Sequence, residues 1–536
     1  MRRMRHKNTG MCYARKDAGP GVKRPGFASL SVACAALMVL MPGAASASSD
    51  GPPAGSYMSY YAARSPESAS VLLSRPSVRQ QLNLSEGNLD QLRKALETGP
   101  IETTRPEASV DDLLYNPPDT ENMSLELGDV LAYTLMNNPD LGIVYWRLQD
   151  RIAAIRGAKA GMLPTVEVGF GTGIESVTGE TVASTDGLNR QEASLRVSQL
   201  LFDFGRSMLA VQRAEALYNS QEFLFRDKVA ETIQATIIAY LDLMASSELL
   251  ESSRQNVAVH ERIYNLVLLN GEGGNATEAE VKRALTRLER ARTNMIDFEN
   301  QREAAISAFR RVTGLEPGRL VRPEFDMTAA YDLNEANLDY TLSQHPALQS
   351  AYRDYNSIDH QLEAAKLAYL PEFRVDLAGK YQDQVLGNTP WQQDGRVMVT
   401  ATWNVYDGGL ARSRKDQLVA RRNEVEQQLV KVRNELRQDG YNILSVLRTS
   451  QDKTSIFETQ LAASQRVVEL YFLQFEAGRR TLFELLDAQA DLNQAREEQI
   501  TNKYENLSAG FASLRLQNRL TSTISEQFSL DLETTE

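Results

Sequence analysis

Apolar residues recur along this chain at two periods, and proline and glycine mark where one period gives way to the other. Two long tracts keep a three-and-four spacing. The first reads Val211, Ala214, Leu217, Leu224, Val229, Ile233, Ile237, Tyr240, Met244; the second reads Leu418, Val425, Leu429, Val432, Leu436, Ile443, Leu447. Such spacing lays one apolar stripe along a helix, here interleaved with charge. No proline occurs from 165 to 316 or after Pro390, so nothing breaks these tracts. Helices are expected at about Phe204–Asn270 and Gly408–Phe475, each roughly 100 Å long at about 1.5 Å per residue. Glycine ends each one, at Gly271-Glu272-Gly273-Gly274 and at Ala477-Gly478. Shorter helices return at Thr277–Val312 and Thr481–Leu516, which makes two antiparallel hairpins.

Between the helical tracts the period drops to two. Val166, Val168, Phe170 and Ile174 alternate with Glu167, Gly169 and Gly171; Ala193, Leu195, Val197 and Leu201 alternate with Glu192, Ser194, Arg196 and Ser198. In the second half Phe373, Val375, Leu377 and Tyr381 alternate with Glu372, Arg374, Asp376 and Lys380, and Val397, Val399, Ala401, Trp403 and Val405 with Arg396, Met398, Thr400 and Thr402. Each run is about ten to twelve residues, the length of a transmembrane strand. Polar-in, apolar-out alternation with aromatics near the ends fits a barrel with a wet lumen. A half-buried soluble sheet gives the same alternation. On the barrel reading, Val166, Val168, Phe170, Val375, Leu377, Val399 and Trp403 face lipid, and Ser176–Arg190 and Gln384–Asp394 are outer loops.

These elements occur twice. From Pro139 to Pro346 is 207 positions, as is Pro164 to Pro371; Asp203 to Asp407 is 204, as is Gly274 to Gly478. The chain therefore divides into repeats at 121–320 and 330–522. Pro139 and Pro346 sit where a helix can start, since the first helical position needs no N–H. Pro164 and Pro371 end those helices and open the strands. The fold class is α+β. Four strands per chain cannot close a water-filled barrel, and an open edge in lipid leaves backbone groups unsatisfied. Three copies would give twelve strands.

Composition narrows the setting. Residues 1–47 carry a basic start, an apolar run from Phe27 to Leu40 and the small-residue stretch Ala44-Ala45-Ser46-Ala47, the marks of a signal peptide; an uncleaved anchor would begin in the same way. Cys12 and Cys34, the chain's two cysteines, both lie there, so no disulfide or thiolate site is expected in the exported part. That segment also takes away eight basic residues and Asp17, leaving 50 basic and 69 acidic residues, a net of −19. Such a balance argues against nucleic acid as a partner. No run of 18 apolar residues follows, so no membrane-spanning helix is expected. Residues 48–120, rich in Ser, Pro and Gly with a short helical pattern near Glu86–Glu97, read as a disordered periplasmic extension, and 523–536 as an acidic tail.

Enzyme chemistry finds no foothold. His260, His345 and His360 are scattered, and there is no H-E-x-x-H, P-loop or G-x-S-x-G. Gly169-Phe170-Gly171-Thr172-Gly173 mimics a dinucleotide loop but sits in a strand. His345 reads as a helix-start residue. No cofactor is implied.

The arrangement resembles the TolC family of outer-membrane efflux proteins over residues 123–522. The resemblance is carried by the Asn138-Pro139 and His345-Pro346 helix starts, by Leu163-Pro164 and Leu370-Pro371, and by Leu201-Phe202-Asp203-Phe204-Gly205 matched with Trp403-Asn404-Val405-Tyr406-Asp407-Gly408-Gly409. The most specific stretch is 475–489, FEAGRRTLFELLDAQ, which is similar to the family's helix-turn at the periplasmic tip and to its type I secretion branch in particular. The resemblance implies a homotrimer, a twelve-strand barrel in the outer membrane and a long periplasmic α-helical coiled-coil tunnel closed at its tip. It also implies docking to a periplasmic membrane-fusion adaptor and to an inner-membrane ABC or proton-driven transporter, for export of proteins or small molecules.

Carried onto this chain, the resemblance places a gate at the tip. Arg480 would reach the neighbouring hairpin turn, where Glu280 occupies the acidic position. Phe475 stands where the prototype has a tyrosine, so one hydroxyl hydrogen bond is lost. Glu484 and Asp487 match pore-facing acidic positions; three apart, they share a helix face and would give six carboxylates around a trimer axis, a cation-selecting ring. The helical hairpins by themselves fit a non-channel periplasmic coiled-coil scaffold or adaptor equally well.

Overall fold

The structure is a computed structural model that describes residues 123–179, 182–274, 276–385 and 389–528. The expected signal peptide, the 48–120 extension and most of the acidic tail lie outside the described residues. In chain order the elements are β1 (Ser124–Leu125), α1 (Leu127–Asn137), α2 (Pro139–Ala160), β2 (Thr165–Gly179), β3 (Val182–Phe202), α3 (Arg206–Glu272) and α4 (Glu278–Thr313). There follow β4 (Arg319–Leu320), α5 (Leu338–Ser343), α6 (Pro346–Lys366), β5 (Glu372–Val385), β6 (Thr389–Thr402), α7 (Leu410–Glu476), α8 (Leu482–Leu516) and α9 (Leu520–Phe528).

Both short helices start as their prolines require. Pro139 and Pro346 take the first helical position behind Asn138 and His345. The Asn138 carboxamide oxygen accepts the Asp140 N–H at 2.9 Å, and Nδ1 of His345 accepts the Ala347 N–H at 3.2 Å. His345 is thus an N-cap whose acceptor nitrogen satisfies one free backbone donor.

The two long helices share one entry device. Oδ1 of Asp203 accepts the Gly205 N–H and Oδ2 accepts the Ser207 N–H at 2.7 Å; Asp407 does the same for Gly409 and Ala411. Gly205 and Gly409 adopt φ of 91° and 90°. That left-handed geometry turns the chain from strand to helix and is open to glycine at no steric cost.

Helices pack in a row. Near the sheet the order is α2, α3, α6, α7; at the far end α4 packs on α3, α8 on α7, and α8 also on α3. Lengths explain this. At about 1.5 Å per residue, 67-residue α3 spans roughly 100 Å, whereas α2 (22 residues) and α4 (36) span roughly 33 and 54 Å end to end. A belt fills the gap midway. There β1 pairs in parallel with β4, and α1 and α9 set Leu127, Leu131, Leu135, Leu520 and Ile524 against Phe225, Ile233, Ile237, Phe309 and Phe511. Tyr240, fully buried, shares its hydroxyl proton between the carbonyls of Leu125 (3.0 Å) and Val321 (2.5 Å), which flank the belt's strands.

α3 is therefore surrounded, and it buries residues from Val211 to Val267. It carries an 18-residue window whose composition would suit a membrane helix, unlike the sequence expectation, yet 56 % of that window is buried inside the protein. The central position accounts for this: a helix packed on several sides is apolar on several sides. By contrast α7 buries only Gly440, Leu447 and Ser450.

The four long strands form one antiparallel sheet in the order β2-β3-β5-β6. They run 15, 21, 14 and 14 residues, longer than expected. Most of Ser176–Arg190, expected as a loop, continues the ladder, with Val177 opposite Thr185 and Gly179 opposite Val182. β5 and β6 likewise extend to Val385 and from Thr389. Polar residues do not end a strand whose backbone groups still find partners across the ladder; they end only the apolar signal that sequence reading depends on.

Tyr240→Phe removes this hydroxyl from the Val321 carbonyl, while the Leu125 carbonyl keeps the Val321 N–H at 3.1 Å. The expected cost is about 1–2 kcal/mol, read as earlier loss of helical circular dichroism on heating in detergent, with the sheet's content unchanged.

Candidate gate and membrane-facing surface

The sheet's register sorts its side chains into two faces. Val166, Val197, Leu377 and Val397 line up across the four strands; Phe170, Ala193 and Tyr381, and then Val375 and Val399, fall on the same side. Glu167, Arg196, Ala378 and Arg396 line up on the opposite side, as do Ser194, Lys380 and Asp394. Phe170 is 84 % exposed and Val399 67 %, although each sits on an apolar face. In water such a surface would be a liability; in hydrocarbon it is the required one. Trp403 departs from expectation. β6 ends at Thr402, and the Trp403 indole N–H donates to the Tyr369 carbonyl at 2.9 Å, so the ring lies just beyond the strand.

At the far end of the helices, two turns are built alike. Gly274 and Gly478 both have positive φ, 77° and 68°, ending α3 and α7. Each return helix then opens with a capping box. Oγ1 of Thr277 accepts the Glu280 N–H, and the Glu280 carboxylate accepts from the Thr277 N–H at 2.7 Å; Thr481 and Glu484 repeat the exchange. The positions correspond at the 204-residue offset. Glu280 is thus the counterpart of Glu484, engaged at its own helix start.

Arg480 is the asymmetric element, with Ala276 at the equivalent position. Its Nη1 donates to Oε1 of Glu484 at 2.7 Å, its Nε donates to Oε1 of Gln474 at 3.0 Å, and the guanidinium lies 4.1 Å from the Tyr471 ring centroid. Within one chain, then, Arg480 clamps its own turn and is not paired with Glu280, as the resemblance had implied. Hydrogen bonds from the Thr481 hydroxyl, then from Arg480 and the Thr481 N–H, hold the Glu484 carboxyl down at about 2. The Glu280 carboxyl is also lowered, chiefly by the Thr277 N–H.

Asp487 is engaged as well: Nη2 of Arg287, on α4, donates to its Oδ1 at 3.1 Å. Both carboxylates of the expected acidic ring therefore have a cationic partner, and its net charge is smaller than the sequence pattern implies. Beneath them an apolar cluster joins the hairpins: Ile263 and Val267 of α3, Ala284 of α4, and Leu482, Leu485 and Leu486 of α8, with Tyr471, Phe472 and Phe475 of α7 against it. Phe475 serves here as packing.

The elements now described are an apolar-faced sheet continued by two long helical hairpins in an internally duplicated chain. The family model for outer membrane efflux proteins matches residues 130–315 and again 337–516. The chain belongs to the outer membrane efflux protein family. Curated relatives of this efflux protein include "Outer membrane efflux protein BepC" of Brucella suis, 22 % identical over 70 % of this chain and 81 % of the relative. Another is "Pyoverdine export outer membrane protein OpmQ" of Pseudomonas aeruginosa, 20 % identical over 72 % and 83 %. Among solved structures, CusC aligns with a TM-score of 0.64 at 15 % identity over 75 % of this chain and 95 % of its own. VceC of Vibrio cholerae aligns at 0.65 and 14 %, over 73 % and 96 %. The efflux protein is thus an outer-membrane channel component with a large periplasmic helical portion, and not an enzyme.

Sequence reading missed Arg287 and Tyr471, which lie on other helices from the residues they meet. It also passed over a signal that was present: Thr277-x-x-Glu280 and Thr481-x-x-Glu484 are capping-box sequences. His260, buried beside these residues on α3, has no partner for Nδ1 among the described residues, and burial, then the charge of Arg287, lowers its pKa.

Arg480→Ala removes the Glu484 pair and the Tyr471 stacking, and should loosen this turn. Single-channel conductance in planar bilayers should rise; an unchanged value would count against the clamp. Because the Glu484 carboxyl is depressed, its contribution is full above its ordinary value of 4.5 and is lost as pH falls toward about 2. Conductance should therefore be flat from neutral pH to about pH 5 and change only in stronger acid, with the onset abolished in Glu484→Gln.

Proposed function

We propose that three copies of the efflux protein form an exit duct, their sheets closing a twelve-strand barrel and their hairpins a periplasmic tunnel. The observation that carries this is the match between what one chain leaves open and what the same chain already pairs. β3 of the first repeat pairs with β5 of the second. The equivalent pairing for β6 is with β2 of another copy, and β2 and β6 are the outer strands of the sheet. α3 packs on α6, and the equivalent for α7 is α2 of another copy. Apolar residues wait on both of those helices: Ile143 and Trp146 on α2 are 51 % and 56 % exposed, and Leu410 and Val419 on α7 are 49 % and 39 %.

Closure of this kind is what lipid demands of a strand edge. Two copies would give eight strands, whose interior side chains fill; twelve leave a channel. The tip would then be the gate, with Arg480, Glu484 and Asp487 around the axis and Glu280 and Phe475 behind them. A periplasmic adaptor and an energised inner-membrane transporter would supply direction, since the duct holds no chemistry of its own. The likeness to OpmQ, a pyoverdine export protein, favours small-molecule export, and the turn at 475–489 favours the type I secretion branch. A signal peptide at 1–47 would deliver the chain.

The repeat supplies a register for the test. Ser220 and Ser350 meet through their hydroxyls at 2.9 Å between α3 and α6. Shifting by 204 and 207 positions gives Glu424 on α7 and Ile143 on α2. Glu424→Cys with Ile143→Cys, in a chain lacking Cys12 and Cys34, should oxidise to a ladder that ends at three chains. Monomers alone, or a ladder ending at two, would exclude the trimer in this register.

A further inference from the structure

Below the sheet, where strand gives way to helix, lies a cleft of about 830 Å³ between α6 and α7. Its floor is small and apolar: Ala364, Ala365 and Ala368, on one face of α6. Its α7 wall presents Arg414 and Arg421, seven residues apart and so on one helix face. Both are exposed, and neither has an ion-pair partner among the described residues. Arg206 also lines the cleft but is neutralised by Glu372. Asp407 lines it too, with its carboxylate occupied by the backbone N–H groups of Gly409 and Ala411.

A third guanidinium adjoins. Arg213, two turns on from Arg206 along the same face of α3, is half-buried, and its Nε has no hydrogen-bond partner among the described residues. Burial and the nearby charges of Arg421 and Arg151 lower its pKa. Like charges gathered this closely, with a buried donor unpaired, are costly unless an anion joins them.

Position identifies the anion. The cleft opens at the sheet's helix-side rim, among Tyr369, Val405 and Tyr406, of which the last two are 72 % and 85 % exposed. Exposed aromatics at the end of an apolar-faced sheet mark the level of lipid headgroups, and arginines there attract anionic ones. We propose that this cleft binds the phosphate of an anionic phospholipid in the periplasmic leaflet of the outer membrane, with Arg414 and Arg421 as donors, Arg213 adding positive charge nearby, and the alanine floor against the glycerol region. The site rests on the membrane location of the sheet and not on the trimer. It lies on the side of α7 that meets α6 of the same chain, away from the edge that another copy would cover.

The test is lipid retention by the full chain. Protein reconstituted in nanodiscs of phosphatidylcholine and phosphatidylglycerol is released for native mass spectrometry. Wild type should retain phosphatidylglycerol in preference to phosphatidylcholine. Retention should fall about fivefold for each of Arg414→Gln and Arg421→Gln, and the Arg414→Lys/Arg421→Lys pair should recover part of it. Equal retention by wild type and the Gln variants, or no preference for the anionic lipid, overturns the proposal. Displacement of the lipid by millimolar inorganic phosphate overturns the lipid assignment and leaves a small-anion site. Oligomer mass read in the same spectra separates loss of this site from loss of the assembly.

Discussion

A strand edge in hydrocarbon has no water to satisfy its N–H and C=O groups, and every level of this protein answers to that constraint. One chain supplies a four-stranded sheet with an apolar face and two outer strands. Its helices repeat the situation in gentler form. Exposed apolar residues on α2 and α7 cost less than open backbone groups, but they point to the same remedy. Duplication makes the remedy simple, because the contact each edge needs already exists once inside the chain.

The duplication is not a strict copy. Both turns use a positive-φ glycine and a Thr-x-x-Glu capping box, so the two tips begin as the same object. Arg480 against Ala276 breaks the equivalence, and only the second turn gains a clamp across Glu484 and Tyr471. At the other end Asp203 and Asp407 make the same strand-to-helix entry, yet only the α6–α7 side carries the exposed pair Arg414 and Arg421. Symmetry thus fixes the tube, and the departures from it fall at the tube's two ends.

The sequence made the architecture legible because its signals are local. Proline at 139 and 346, glycine at 274 and 478, and the switch of period between them place the four hairpin helices within two residues, while α2 and α6 end four or five residues before the prolines that follow them. Strand ends were harder. The ladder runs on through polar residues after 175 because backbone pairing, and not side-chain polarity, sustains it. The tip was half legible. Glu484 and Asp487 were read as a bare acidic pair, since nothing local announces that Arg287, 200 positions away, stands opposite Asp487. The Thr-x-x-Glu pattern would have revealed that Glu484 is spent on its own helix. Arg213, Arg414 and Arg421 had no sequence signature at all, because two helices about 200 positions apart bring them together.

Closure of the sheet by further copies is the claim on which the duct, the tunnel and the gate depend. Native mass spectrometry of the protein extracted from outer membranes tests it most directly. The account predicts one species of three chains that survives mild detergent and falls to single chains on heating. A monomer recovered from the soluble periplasm would contradict it.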